Sequence, residues 1–170
     1  SVREIGSVYA VRAQSTWLGW RSDVEEELIS WMDANHEATR SGELARTREV
    51  AAIDTADVYS RWVPGNSGGE SETIIGRWLK ARGRRDDVKI LTKVGSDMGQ
   101  GRNDLSPGWI ETAVEDSLRR LKTDHIDILY LHRDFNGMDL EEPLYALDSL
   151  MRAGKIRYWG VSNFRAWRIA

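Results

Sequence analysis

The chain has 170 residues, 41% hydrophobic and 30% charged, with no cysteine and a formal net charge of −3 at pH 7. It can bury one ordinary core as a soluble globular domain, and it excludes a disulfide framework or a thiolate metal site. The slight acidic balance argues against a general role on nucleic acid or an anionic membrane; with no apolar run near the roughly 18 residues of a membrane span and no signal-peptide pattern, a cytoplasmic protein is expected.

Ser22 and Glu25 form a capping box, and Val24, Leu28, Trp31, Met32 and Asn35 follow one face, which predicts a helix over about 23–38. Residues 39–49, with Arg40, Arg46 and Arg48, could join this segment to the remainder of the chain. The expected division is therefore an N-terminal segment over 1–49 and a second unit over 50–170.

From residue 50 the punctuation is that of strand-loop-helix units. Val50-Ala51-Ala52-Ile53 reads as a strand ending at Asp54, and a loop with Pro64, Gly65, Asn66, Gly68 and Gly69 leads to a helix over about 71–81. Ile74, Ile75, Trp78 and Leu79 give that helix its apolar face, and the Arg82-Gly83-Arg84-Arg85 cluster reads as a solvated helix end. A strand over Val88-Lys89-Ile90-Leu91-Thr92 ends at Lys93. Ser106-Pro107 then suits a capped helix start, with Ile110, Ala113, Val114, Ser117, Leu118 and Leu121 on one face. Ile126 to Leu131 is nearly all apolar apart from Asp127, as a parallel strand covered on both faces should be, and ends at His132. A helix from Glu141 to Arg152, closed by Gly154, and a strand from Ile156 to Val161 complete the series. This alternation predicts an α/β fold, a partial (β/α)8 barrel of four to five parallel strands.

Asp54, Lys93 and His132 each stand where a strand gives out, and both separations are 39 residues. A repeated unit that brings one ionisable side chain per repeat to the same end of a parallel sheet assembles an active site there, as (β/α)8 barrels do. With Tyr59 five residues past Asp54, the stretches Ile53-Asp54-Thr55-Ala56-Asp57-Val58-Tyr59, Gly69-Glu70-Ser71-Glu72, Leu91-Thr92-Lys93-Val94, Asp127-Ile128-Leu129-Tyr130-Leu131-His132 and Gly160-Val161-Ser162-Asn163-Phe164 together resemble the aldo-keto reductase family over about residues 50–165. The family's first strand carries a Leu-Gly-x-Gly-Thr-like signature, of which Ser15-Thr16-Trp17-Leu18-Gly19-Trp20 is the nearest echo. That stretch is either a drifted first strand or part of an unrelated helical piece.

The resemblance implies reduction of an aldehyde or ketone by hydride transfer from NADPH, with Asp54, Tyr59, Lys93 and His132 as the catalytic tetrad. Reduction puts negative charge on the carbonyl oxygen, so the site must supply a proton and donors aimed there. Tyr59 would be the acid; a free phenol, with a pKa of about 10, donates poorly at neutral pH unless a nearby ammonium favours the phenolate. Lys93 would supply that ammonium, Asp54 would hold Lys93, and neutral His132 would orient the substrate oxygen. The resemblance also assigns Ser162 and Asn163, with Asp54, to the cofactor, and Trp62, three residues past Tyr59, suggests a wall of the substrate pocket. No glycine-rich dinucleotide fingerprint and no metal set is present.

Each residue has a plainer reading alone: Tyr59 a surface aromatic, Lys93 a strand-end lysine reaching solvent, Asp54 a turn cap, His132 a packed histidine, Ser162 and Asn163 ordinary turn residues. All four tetrad candidates at consecutive strand ends, in family order, favour the chemical reading. Length sets the opposing consideration. A complete barrel needs about 250 residues, and only nine follow Val161. Exposed strand edges and an exposed inner face then require a cover: a second copy in a homodimer, the N-terminal helix, or a further part of the gene product. The competing expectations are a reductase or a large piece of one, a catalytically idle half-barrel, and a cofactor-sensing subunit.

Overall fold

The computed structural model describes residues 10–12 and 51–169. The predicted helix over 23–38, the Ser15–Trp20 stretch and the joint at 39–49 lie outside the described residues. Five parallel strands, β1 (Ala10–Arg12), β2 (Ala51–Asp54), β3 (Val88–Val94), β4 (Ile126–Leu131) and β5 (Ile156–Val161), lie side by side in chain order. Helices α1 (Glu70–Arg82), α2 (Pro107–Leu121) and α3 (Glu141–Arg152) connect β2 through β5. The first strand, Ala10–Arg12, lies upstream of the stretch that echoed the family signature, and it pairs Ala10 with Ala52 and Arg12 with Asp54.

The strand register sorts side chains onto two faces, since partners across parallel strands share a face and successive residues alternate. Ile53 pairs with Ile90, Thr92 with Leu129, and Val94 with Leu131. This row meets the helices and forms the core with Ile74, Ile75, Trp78, Ile110, Val114, Leu118, Leu121, Leu147 and Leu150. The apolar positions predicted for the first two helices are all buried. On the other face Asp54 pairs with Leu91, Leu91 with Ile128, and Ile128 with Tyr158, while Lys93 pairs with Tyr130 and Tyr130 with Gly160. Gly160 leaves room for Tyr130: a Cβ there would stand 2.9 Å from the tyrosine ring. Two charged positions, Asp54 and Lys93, thus close the carboxyl ends of β2 and β3 on this inner face.

At β5 the cover thins. Tyr158, on the inner face, is 68% exposed, and Trp159, on the helix face, is 42% exposed.

Helix ends follow local chemistry. Gly154, at φ +73°, lets α3 close with Lys155 N–H donating to Leu150 O and Gly154 N–H to Met151 O, the paired bonds of a left-handed terminus. Two expectations need correction. Ser106 precedes Pro107 as expected, but its hydroxyl makes no capping bond; its own N–H donates to Asp104 Oδ1 (2.8 Å) instead. The arginine cluster is not simply solvated. Arg82 stacks on Trp78 at 4.3 Å, and Arg85 reaches 2.6 Å from Asp127, the polar interruption in β4. Asp127 Oδ2 also accepts from Ile90 N–H (2.9 Å), and Oδ1 forms an ion pair with Lys89 at 3.2 Å, so the polar interruption of β4 is held by backbone and charged partners.

Candidate active site

The loop after β2 carries Tyr59 back over the sheet. Thr55 N–H donates to Leu91 O and Asp57 N–H to Lys93 O, so β2's pairing with β3 continues past the strand end. A tight turn follows, in which Ser60, buried and with φ +80°, occupies a conformation rare for a residue with a side chain. Strained backbone of this sort collects at functional sites, and here it directs the neighbouring Tyr59 inward, 5% exposed.

Lys93, from the end of β3, is the hub. Its Nζ lies 2.8 Å from both oxygens of Asp54, 2.7 Å from Thr55 O and 3.1 Å from Tyr59 Oη. An ammonium has three protons, and the carboxylate, the carbonyl and the phenol oxygen account for them. His132, from the end of β4, sets its ring edge-on to Tyr59 with centroids 6.0 Å apart, and its Nδ1 is 3.1 Å from Ser96 Oγ. Burial, then the positive charges of Lys93 and Arg133, lower the His132 pKa to about 4, so the ring is neutral at physiological pH. The structure therefore brings together all four residues that the sequence placed at or near strand ends.

Asn163 follows β5 with φ +58°. Its Nδ2 donates to His132 O (3.0 Å) and to Ser162 Oγ (3.0 Å). The carbonyl of His132 needs a donor, which fixes the amide orientation. Trp62 is 56% exposed and stands edge-on to Tyr59 at 6.1 Å, beside the phenol rather than enclosing it.

Several residues of this assembly had no pattern of their own. Thr55 supplies a backbone acceptor to Lys93, and its hydroxyl is 2.8 Å from Ser71 Oγ. Glu72, fully buried, accepts from Thr92 Oγ1 (2.6 Å) and Arg120 Nε (2.7 Å). The first turn of α1 thus holds both Thr55, whose carbonyl accepts from Lys93, and Thr92, which precedes Lys93 in the chain. The adjacency of Ser71 and Glu72 at a helix start was the available signal. Asp57, 1% exposed, has no hydrogen-bond partner on either carboxylate oxygen. Burial, followed by the nearby charge of Glu72, raises its pKa well above the usual carboxylate range. Among the described residues no group of three or more His, Cys, Asp or Glu side chains could hold a metal, and no helix is long and apolar enough to cross a membrane.

A profile described as the Aldo/keto reductase family matches residues 34–170. The chain is 39% identical over 127 residues to 6-dehydroglucose reductase of Agrobacterium fabrum, a match covering 69% of this chain and 40% of that protein. Among solved structures it is similar to aldo-keto reductase AKR11C1 from Bacillus halodurans in its holo form, with 38% identity and a TM-score of 0.59 over 69% of this chain and 38% of that one. It is also similar to an aldo/keto reductase from Klebsiella pneumoniae in complex with NADP and acetate, with 26% identity and a TM-score of 0.70 over 93% of this chain and 46% of that one. The chain spans about two-fifths of the length of the curated relative, so its sheet corresponds to part of a (β/α)8 barrel.

Proposed function

Because this chain belongs to the Aldo/keto reductase family, we propose that it carries the proton-delivering half of an NADPH-dependent carbonyl reductase site, acting on an aldehyde or ketone. The observation that carries this reading is the Lys93 hub, with its ammonium between the Asp54 carboxylate and the Tyr59 phenol. When NADPH is bound, it supplies the hydride that adds to the carbonyl carbon. The substrate oxygen takes its proton from Tyr59 Oη, and the Lys93 ammonium stabilises the phenolate left behind. Asp54 and Thr55 O hold two of the Lys93 protons, which leaves the third directed at Tyr59. Ser96, donating to His132 Nδ1, keeps the ring proton on Nε2, from which His132 gives a hydrogen bond to the same oxygen. Trp62 borders the approach to Tyr59.

Ser162 and Asn163 fit a carboxamide. Asn163 commits both amide hydrogens to His132 O and Ser162 Oγ, so its Oδ1 is the free acceptor; Ser162 Oγ accepts from Asn163, so its own proton is free to donate. A nicotinamide carboxamide offers the complementary donor and acceptor. Bound NADP in the similar Klebsiella enzyme supports the choice of cofactor.

The test is a titration of the purified 170-residue protein with NADPH, read by protein fluorescence. Saturable binding in the micromolar range is expected. A folded protein that binds no dinucleotide would favour the reading of an idle half-barrel.

A further inference from the structure

The loops after β4 and β5 are held together by polar groups over a short distance. His132 O accepts from Asn163; two residues on, Asp134 Oδ2 accepts from Arg165 Nε (2.6 Å), and Asp134 Oδ1 pairs with Arg168 Nε at 3.2 Å. Arg165 also donates to Asn136 Oδ1 (3.0 Å), and Arg168 to Met138 O (2.8 Å). The Asp134 side chain is only 2% exposed although it lies in a loop, and the Arg165 hydrogen bond holds its carboxyl below the usual carboxylate range.

Apart from Ser162 N–H donating to Leu131 O (2.9 Å) at its start, little else anchors the second loop. The turn Ala166–Arg168 has no buried residue, with Trp167 71% and Ile169 58% exposed; Phe164 alone of these residues packs on the core. Yet this loop begins with Ser162 and Asn163, whose free acceptor and donor depend on Asn163 keeping a left-handed backbone and its bond to His132 O. A side-chain amide in a weakly buried loop loses affinity for a ligand by the cost of ordering it at binding. A buried carboxylate shared by two arginines orders it beforehand.

We propose that Asp134 is a positioning residue for the cofactor: through Arg165 and Arg168 it fixes the loop that presents Ser162 and Asn163, and locks that loop to the strand end carrying His132. This rests on the reductase reading above, and it assigns a role to a residue that touches neither cofactor nor substrate.

The experiment compares the full chain with Asp134→Asn and with Arg165→Gln, the latter at a half-exposed position where loss of the fold is not expected. Three quantities are read: amide hydrogen exchange, NADPH affinity, and the urea midpoint. Exchange should quicken in the 162–169 peptide but not in the α2 peptide. NADPH binding should weaken about tenfold or more, the scale of a lost charged hydrogen bond, and the urea midpoint of Arg165→Gln should stay put. Unchanged affinity in both variants, with the parent binding normally, overturns the proposal alone. A lowered urea midpoint with no selective change at 162–169 would also overturn it, since Asp134 would then serve stability. Absence of NADPH binding by the parent chain overturns the reductase reading, and this proposal with it.

Discussion

Lys93 Nζ stands 3.1 Å from Tyr59 Oη while 2.8 Å from each carboxylate oxygen of Asp54. The ammonium is thus oriented by an anion on one side and presented to a phenol on the other. Tyr59→Phe removes the proton and leaves the ring's packing against Trp62 and His132. Reduction should fall by roughly 10²–10⁴-fold, the usual contribution of a positioned acid, with NADPH binding intact. Steady-state rates alongside cofactor titration check this; turnover unchanged in Tyr59→Phe would remove it from the mechanism.

His132 is neutral because it is buried beside like charges. Its folded-state value of about 4 lies below the ordinary 6.5, so no histidine step should occur between pH 5 and 8 in the rate profile or in the imidazole NMR signal of His132. The linked effect on stability has a definite sign. The unfolded chain takes up the proton near pH 6.5 and the folded one only near 4, so stability is full above 6.5 and declines as pH falls through that interval. His132→Gln should flatten that part of the stability profile. An imidazole that titrates near 6.5 in the folded protein would show that Lys93 and burial do not act on it as described.

The strands and helices from residue 51 onward were legible because parallel strands here are short apolar runs and each helix has a clean apolar stripe. The proximity of Asp54, Tyr59, Lys93 and His132 was legible because strand ends converge at one edge of a parallel sheet, so equal spacing in sequence becomes proximity in space. What holds these four residues in place was not. Glu72, Thr92 and Arg120 meet from three elements, and nothing in the local sequence says that a helix-start glutamate reaches 2.6 Å from a strand threonine. Arg85 was misread for the same reason: its partner Asp127 lies 42 residues away, on the neighbouring strand. Asp134 carried no pattern of its own, because its two arginines come after the next strand.

The Glu72 and Arg120 pair is the buried electrostatic link between α1 and α2. Glu72 is fully buried and Arg120 Nε is 2.7 Å away. Glu72→Ala removes the carboxylate, leaves the guanidinium without its counter-charge and frees Thr92 beside Lys93. Removal of one member of a buried pair typically costs about 3–5 kcal/mol, and because Arg120 is partly solvated a loss of about 3 kcal/mol, near the low end, is expected. Urea denaturation at neutral pH measures it. A loss below about 1 kcal/mol would mean that water reaches Arg120 freely enough to replace the carboxylate.

Asp57 is the opposite case, a buried carboxyl with no partner. Burial and the charge of Glu72 raise its pKa in the folded state, whereas an unfolded aspartate titrates near 3.9. Below the unfolded value both states hold the proton and the group is neutral in its effect. Above it the unfolded chain gives up the proton while the folded chain keeps it, so stability falls as pH rises toward the folded value. Asp57→Asn keeps the shape and cannot ionise, so in urea denaturation the variant should gain on the parent as pH rises above the unfolded aspartate value of about 3.9. The same substitution leaves Asp57's backbone bonds to Lys93 O and from Gly69 N–H in place, so the Tyr59 loop should keep its geometry and the rate its magnitude. A stability difference that does not vary with pH would show that Asp57 is ionised in the folded protein, with an ordering contact to its carboxylate that the buried loop must then supply.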